Sequence, residues 1–146
     1  MKTSTQGKRG VAESQAAKES TTVADVMTHC PHTIGSDQKL AKAHQIMREL
    51  GIRHLPVLRG GKLVGVLSQR DLYFLESLAG VDIDIDQVAD AMTPDVFTTP
   101  PDEPLRTVAR EMANKKYGCA VVMDENGRVL GIFTVTDALR YLADIL

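Results

Sequence analysis

The chain has 146 residues, room for one ordinary domain or two very small halves sharing a core, but not for a large multidomain enzyme. Hydrophobic residues at 43% and charged residues at 25% give the composition of a globular chain with a packed core. A net charge of −2, from 17 Lys+Arg against 19 Asp+Glu, excludes a global positive field for duplex nucleic acid or an anionic membrane, so any anion site is local.

Trp is absent and aromatics are 4%, so base stacking along a single strand would rest on three Tyr and three Phe. The two cysteines, Cys30 and Cys119, form neither a CxxC pair nor a secreted disulfide ladder, which fits reduced thiols in a cytoplasm. No apolar run approaches the roughly 18 residues of a membrane span. The opening segment has basic residues with no apolar stretch behind them, unlike a secretory signal. The expectation is a cytoplasmic protein that binds neither nucleic acid nor membrane.

In chain order, residues 1–21 are rich in Ser, Thr, Gln, Lys and Ala and read as a flexible tail, with a short helix allowed at Ala12 to Lys18. An internal repeat follows. Val23-Ala-Asp-Val-Met27-Thr28 returns as Val88-Ala-Asp-Ala-Met92-Thr93, and Gly65-Val-Leu-Ser68-Gln-Arg-Asp71 returns as Gly131-Ile-Phe-Thr134-Val-Thr-Asp137. The offset grows from 65 to 66 residues between these motifs. We assign the change to turns, with the second copy one residue shorter before its first strand and two longer in its hairpin. The copies span 22–79 and 87–146, with 80–86 as linker.

Each copy reads as a lead-in helix, a short strand, a helix, a hairpin and a closing helix. Leu40, Ala43, Met47 and Leu50 line one face of a helix from about Gln38 to Leu50. Leu105, Val108, Ala109, Met112 and Ala113 do the same in the second copy, with Asp102-Glu-Pro104 in the first turn. Hairpins follow over Leu55 to Leu67 and Ala120 to Phe133. These strands are too continuously apolar to have a wet face, so helices should cover them. The closing helices run from about Arg70 to Leu78 and from Val135 to Ile145, and are apolar on most sides, which predicts a homodimer through them.

Two such units, with Arg53-His54-Leu55-Pro56-Val57, Gly118-Cys119-Ala120-Val121, the Met-Thr openings and the Ser/Thr-x-x-Asp junctions, resemble a tandem cystathionine-β-synthase (CBS) domain pair, or Bateman module. The resemblance covers about Thr22 to Leu146 and implies an α/β (α+β) fold of two βαββα repeats packed with pseudo-two-fold symmetry.

The junctions Ser68 to Asp71 and Thr134 to Asp137 have two readings. By spacing alone each is a capping box, in which a hydroxyl accepts the N3 amide and the N3 acid reaches back. The resemblance implies instead that Asp71 and Asp137 hold a ribose while Ser68 and Thr134 face phosphate; both readings can hold together. Arg53 and His54, with Pro56 beside them, read either as two solvated polar residues or as adjacent cationic donors for phosphate, His54 carrying a charge near neutral pH, and the resemblance implies the latter; Arg70, beside Asp71, is a further phosphate candidate. Adenosine contacts would come from Thr33 and Thr98, for which β-propensity is the plainer account. Pro56 itself is allowed at an edge or first-strand position that needs no amide donor. The second copy departs from this pattern, reading Tyr117-Gly118-Cys119-Ala120 and Thr136, and these five are carried as its candidate contacts.

Other motifs carry less. His29-Cys30-Pro31-His32 lacks the second cluster that a zinc site needs. Gly60-Gly61-Lys62 is not a phosphate loop, because residue 56 is proline and no Ser or Thr follows. His44, on an apolar stripe, reads as a core or interface residue, and Cys119 as a small buried one. The expected function is regulatory: binding of AMP, ADP or ATP between the repeats, with S-adenosylmethionine also compatible, no catalysis, no required cofactor or metal, and output to an unidentified effector protein. The alternative is a ligand-free dimeric scaffold.

Overall fold

A computed structural model of the chain describes residues 20–29 and 32–146. The expected tail up to residue 19, including the helix at Ala12 to Lys18, lies outside the described residues, as do Cys30 and Pro31. The elements run α1 (Val23–Val26), β1 (Thr28–His29), β2 (Ile34–Gly35), α2 (Leu40–Leu50), β3 (His54–Arg59), β4 (Lys62–Ser68) and α3 (Gln69–Glu76). Then come α4 (Val88–Ala91), β5 (Thr98–Thr99), α5 (Leu105–Lys115), β6 (Cys119–Met123), β7 (Val129–Thr134) and α6 (Val135–Ile145). No helix among the described residues is long and apolar enough to cross a membrane.

Two sheets form, ordered β2-β3-β4 and β1-β7-β6-β5. In each, a two-residue strand runs parallel to the first arm of the hairpin, with Ile34 beside Val57 and Thr99 beside Val122. Both partners move by 65 residues between copies, so nothing is deleted before the first hairpin strand. The offset change lies wholly in the turn, where Leu58 faces Leu63 but Met123 faces Val129. This corrects the expected pair of compensating changes to one inserted residue. The wider turn holds it by accepting the amides of Asn126 and Arg128 on Asp124 Oδ1, each at 2.9 Å.

Pro56 is also placed differently from expectation, in the central strand of its sheet. Its partner Val66 exchanges both backbone bonds with Thr93 on the far side of β4, so Pro56 and Val66 face each other without hydrogen bonds. The ring nitrogen is directed toward β2, which begins pairing only at Val57. No donor is missed.

Each lead-in helix completes the core of the opposite half. Val88 of α4 is fully buried with Leu40, Ala43, Met47, Leu55, Val57, Leu67 and Leu72. Val23 of α1 is fully buried with Leu105, Val108, Met112, Ala120, Val122 and Phe133. The Met-Thr dipeptides carry the chain across. Thr28 pairs with Ile132 along β7, and Thr93 exchanges bonds of 3.0 and 2.9 Å with Val66. The same crossing sets the helix starts, because the Leu40 amide donates to Asp86 and the Leu105 amide to Thr21. Lys39 and Pro104 are held in extended bridges to Gln87 and Thr22, so α2 and α5 begin later than periodicity alone suggests, and Pro104 sits at the N-cap.

The glycine of each junction motif is the floor on which the Met-Thr segment lies. A Cβ on Gly65 would stand 2.7 Å from Met92 Sδ and 2.9 Å from the Thr93 carbonyl; on Gly131 it would stand 2.5 Å from Met27 Sδ and 2.7 Å from the Thr28 carbonyl. The sulfur could move, but the carbonyl is fixed by the ladder. Gly65→Ala and Gly131→Ala are each expected to lower the unfolding free energy by about 1–3 kcal/mol in urea titrations followed by circular dichroism. Gly118→Ala, which meets open space, should be close to neutral in the same titration.

Candidate functional site

Strand β4 delivers the chain to α3 through Ser68, whose extended backbone makes it an N-cap. The capping box is complete: the Asp71 amide donates to Ser68 Oγ at 2.9 Å and the Ser68 amide to Asp71 Oδ2 at 3.1 Å. Thr93 Oγ1, from the crossing segment, donates to the same Oδ2 at 3.4 Å. No described residue bonds to Oδ1. The half-buried carboxylate lines a cleft of about 300 Å³. His54, Val66, Ser68 and Arg70 come to it from the first half, Thr93, Asp95, Val96 and Phe97 from the crossing segment, and Tyr117, Gly118 and Cys119 from the second half.

The cleft's chemistry follows from its burial. Desolvation lowers the His54 pKa below its ordinary 6.5; Asp71 opposes this, Arg53 adds to it and Asp137 opposes it. His54 is therefore a neutral imidazole at neutral pH, which corrects the expectation of a cation there. Burial, assisted by the Asp71 charge, pushes the Cys119 thiol up to about 11, so it stays protonated and is a poor nucleophile. Phe97 and Tyr117, both in the lining, stack on each other at 5.1 Å with 26° between their planes.

The second junction is built alike, but its aspartate is fully engaged, although Asp137 also borders a surface groove of about 500 Å³ with Arg140 and Tyr141. The Thr134 amide and hydroxyl donate to Asp137 Oδ2 at 2.9 and 3.1 Å, while Thr28 Oγ1 donates to Oδ1 at 2.8 Å with Arg140 at 3.5 Å. Both carboxylate oxygens are occupied, and Asp137 is only 5% exposed. Thr28 and Thr93 hold the same place in the two copies, yet one clasps its aspartate tightly and the other loosely.

Of the residues singled out in the sequence, the open cleft gathers His54, Ser68, Arg70, Asp71, Tyr117, Gly118 and Cys119. Arg53 is exposed beside it, with its carbonyl accepting the Gln69 amide at 2.8 Å. Pro56 and Ala120 are buried in the sheets, and Thr33 is half-buried just before β2. Thr98 borders separate surface grooves near Met123. Thr134, Thr136 and Asp137 belong to the second junction. Sequence reasoning missed Val66, Thr93, Asp95, Val96 and Phe97. Thr93 was signalled by the repeated Met-Thr, whereas the Phe97–Tyr117 pairing joins residues from different elements and left no local signal. His44 meets Glu76 of α3 and packs beside Tyr73, which places it at a helix interface.

A family model described as "CBS domain" matches residues 23–76 and 88–144. The chain is 33% identical over 127 residues to inosine-5'-monophosphate dehydrogenase of Korarchaeum cryptofilum, covering 87% of this chain and 24% of that protein. It thus spans about a quarter of the length of that curated relative. Among solved structures, the CBS domain pair of protein MJ0100 in complex with 5'-methylthioadenosine and S-adenosyl-L-methionine superposes with a TM-score of 0.76 at 30% identity, covering 85% of this chain and 97% of that one. CBSX2 in complex with AMP gives 0.71 at 28% identity, with the same coverage of 85% and 97%.

The lowered His54 pKa has a sign that stability measurements can read. Its contribution is complete above 6.5, falls as pH drops below 6.5 because the unfolded imidazole protonates first, and levels off below the folded value. Between pH 7.5 and 5 the wild type should therefore lose more stability in urea than His54→Gln; parallel losses would contradict the burial account.

Proposed function

The chain belongs to the CBS domain family, with two copies in tandem, and on that premise we propose that it is a regulatory ligand-sensing module without catalysis of its own. An adenosyl compound, drawn from AMP, ADP, ATP or S-adenosylmethionine, seats in the Asp71 cleft. The observation that carries this reading is the uncommitted Oδ1 of Asp71, at the mouth of a cleft walled by both halves. A carboxylate oxygen there accepts ribose hydroxyls, the Phe97–Tyr117 face takes a purine, and the Ser68 hydroxyl and Arg70 stand near the 5′ substituent. Support comes from the adenosyl ligands named with two similar structures.

Because the ligand touches both halves, it stabilises the arrangement in which they close on it and shifts the population accordingly. The output surface is the apolar skin of the closing helices. Phe74 is 69% exposed on α3 and Leu139 61% exposed on α6, with Tyr73, Leu78, Val135 and Leu142 nearby in sequence. A homodimer in the cytoplasm forms through these helices and passes the change to an effector protein. The saturated Asp137 favours the scaffold reading for the second junction alone, which then holds the halves together without a ligand.

Asp71→Asn should weaken adenosyl binding at least about tenfold by calorimetry. Asp137→Asn should leave affinity within about twofold while reducing stability by about 1–3 kcal/mol. Unchanged affinity in Asp71→Asn would overturn the ribose assignment. In sedimentation the wild type should run as a dimer at micromolar concentration, and Phe74→Glu combined with Leu139→Glu as a monomer; a monomeric wild type would remove the dimer.

A further inference from the structure

The groups that a phosphate chain would need are scarce in the Asp71 cleft. At the start of α3 the Ser68 amide already donates to Asp71 Oδ2, the Gln69 amide to the Arg53 carbonyl and the Asp71 amide to Ser68 Oγ. Of the first-turn amides only that of Arg70 is left, so the helix start has little to offer an anion. Charge points the same way. The lining holds two carboxylates, Asp71 and Asp95, against one guanidinium, Arg70, with Arg53 exposed at its edge, and burial keeps His54 uncharged at neutral pH. Asp95 is exposed and no hydrogen bond or ion pair to another described residue engages its carboxylate. The cleft is also at the small end of the size range for ligand pockets.

Resting on the adenosyl reading of this cleft, we propose that it sorts adenosyl compounds by the charge of their 5′ substituent, preferring an uncharged or cationic group to a polyphosphate, with Asp95 as the selecting side chain. A purine and ribose find the Phe97–Tyr117 pair and the Asp71 oxygen whatever the 5′ group is. A triphosphate adds several negative charges beside two carboxylates, with Arg70 in the lining and Arg53 at its solvent-exposed edge to receive them. A sulfonium or ammonium at the same place meets Asp95 as a counter-ion.

The test is calorimetric titration of the full chain at low salt with 5'-methylthioadenosine, S-adenosylmethionine, AMP and ATP, for wild type and Asp95→Asn. The first two should bind the wild type at least about tenfold more tightly than ATP. Asp95→Asn should shrink the S-adenosylmethionine to ATP ratio about threefold or more, while 5'-methylthioadenosine changes by less than about twofold. A thermal melt of the variant, whose substitution is at an exposed position, checks that it is folded. ATP binding as tightly as 5'-methylthioadenosine, or an unchanged ratio in Asp95→Asn, overturns the selection and leaves the adenosyl reading standing. No binding by any of the four overturns both.

Discussion

The constraint on which the molecule depends is the close approach of a Met-Thr backbone to a glycine in the other half. At Gly65 and at Gly131 the crossing carbonyl sits where any side chain would stand. That approach extends each sheet by pairing across the halves and draws the lead-in helices into the opposite cores. It also sets the threonine hydroxyls of Thr28 and Thr93 against the aspartates of the closing helices. Packing and the candidate site therefore share one cause. The cleft exists because the chain crosses there, and its walls come from both halves for the same reason.

Duplication makes the halves alike in backbone and leaves them unlike in chemistry. Each junction is a capping box, and each aspartate faces a threonine from the far segment. The outcome turns on tenths of an ångström and on neighbours: Thr28 reaches Asp137 at 2.8 Å, Thr93 stays 3.4 Å from Asp71, and Thr134 and Arg140 add further donors to the second site. A carboxylate with every lone pair directed at a protein donor is a structural tie, while one with an oxygen to spare can serve a ligand. The groove between α5 and α6 differs from its counterpart for a similar reason, since Ala109 and Leu139 stand where His44 and Tyr73 fill the space in the first half.

Much of this was legible in the residues. The i, i+3, i+4 spacing of Leu105, Val108 and Met112 marked a buried helix face, and α6 has the bounds read from its pattern. The Ser/Thr-x-x-Asp junctions form the capping boxes that their spacing implies, and the family resemblance agrees with the match to both repeats. What stayed hidden is non-local. Nothing near Val23 or Val88 indicates which half receives it, and the starts of α2 and α5 depend on pairing with residues far along the chain. Histidine's charge depends on desolvation, which residue identity does not carry, so His54 read as a cation and is a neutral imidazole. The free Oδ1 of Asp71 and the occupied pair on Asp137 are likewise invisible in two motifs of the same form.

The segment between the copies has its own attachments. The Ile83 and Asp86 carbonyls receive the first amides of α2, and Lys39 reaches the Ile85 carbonyl at 3.2 Å. Those residues act as the cap of a helix and not as slack rope. A protease cutting near Gly80 would therefore release no autonomous fragment. The N-terminal piece would forfeit Val88 and the cap on α2, the C-terminal piece would forfeit Val23 and the bond to Thr21, and the nicked pair would have every reason to remain clasped.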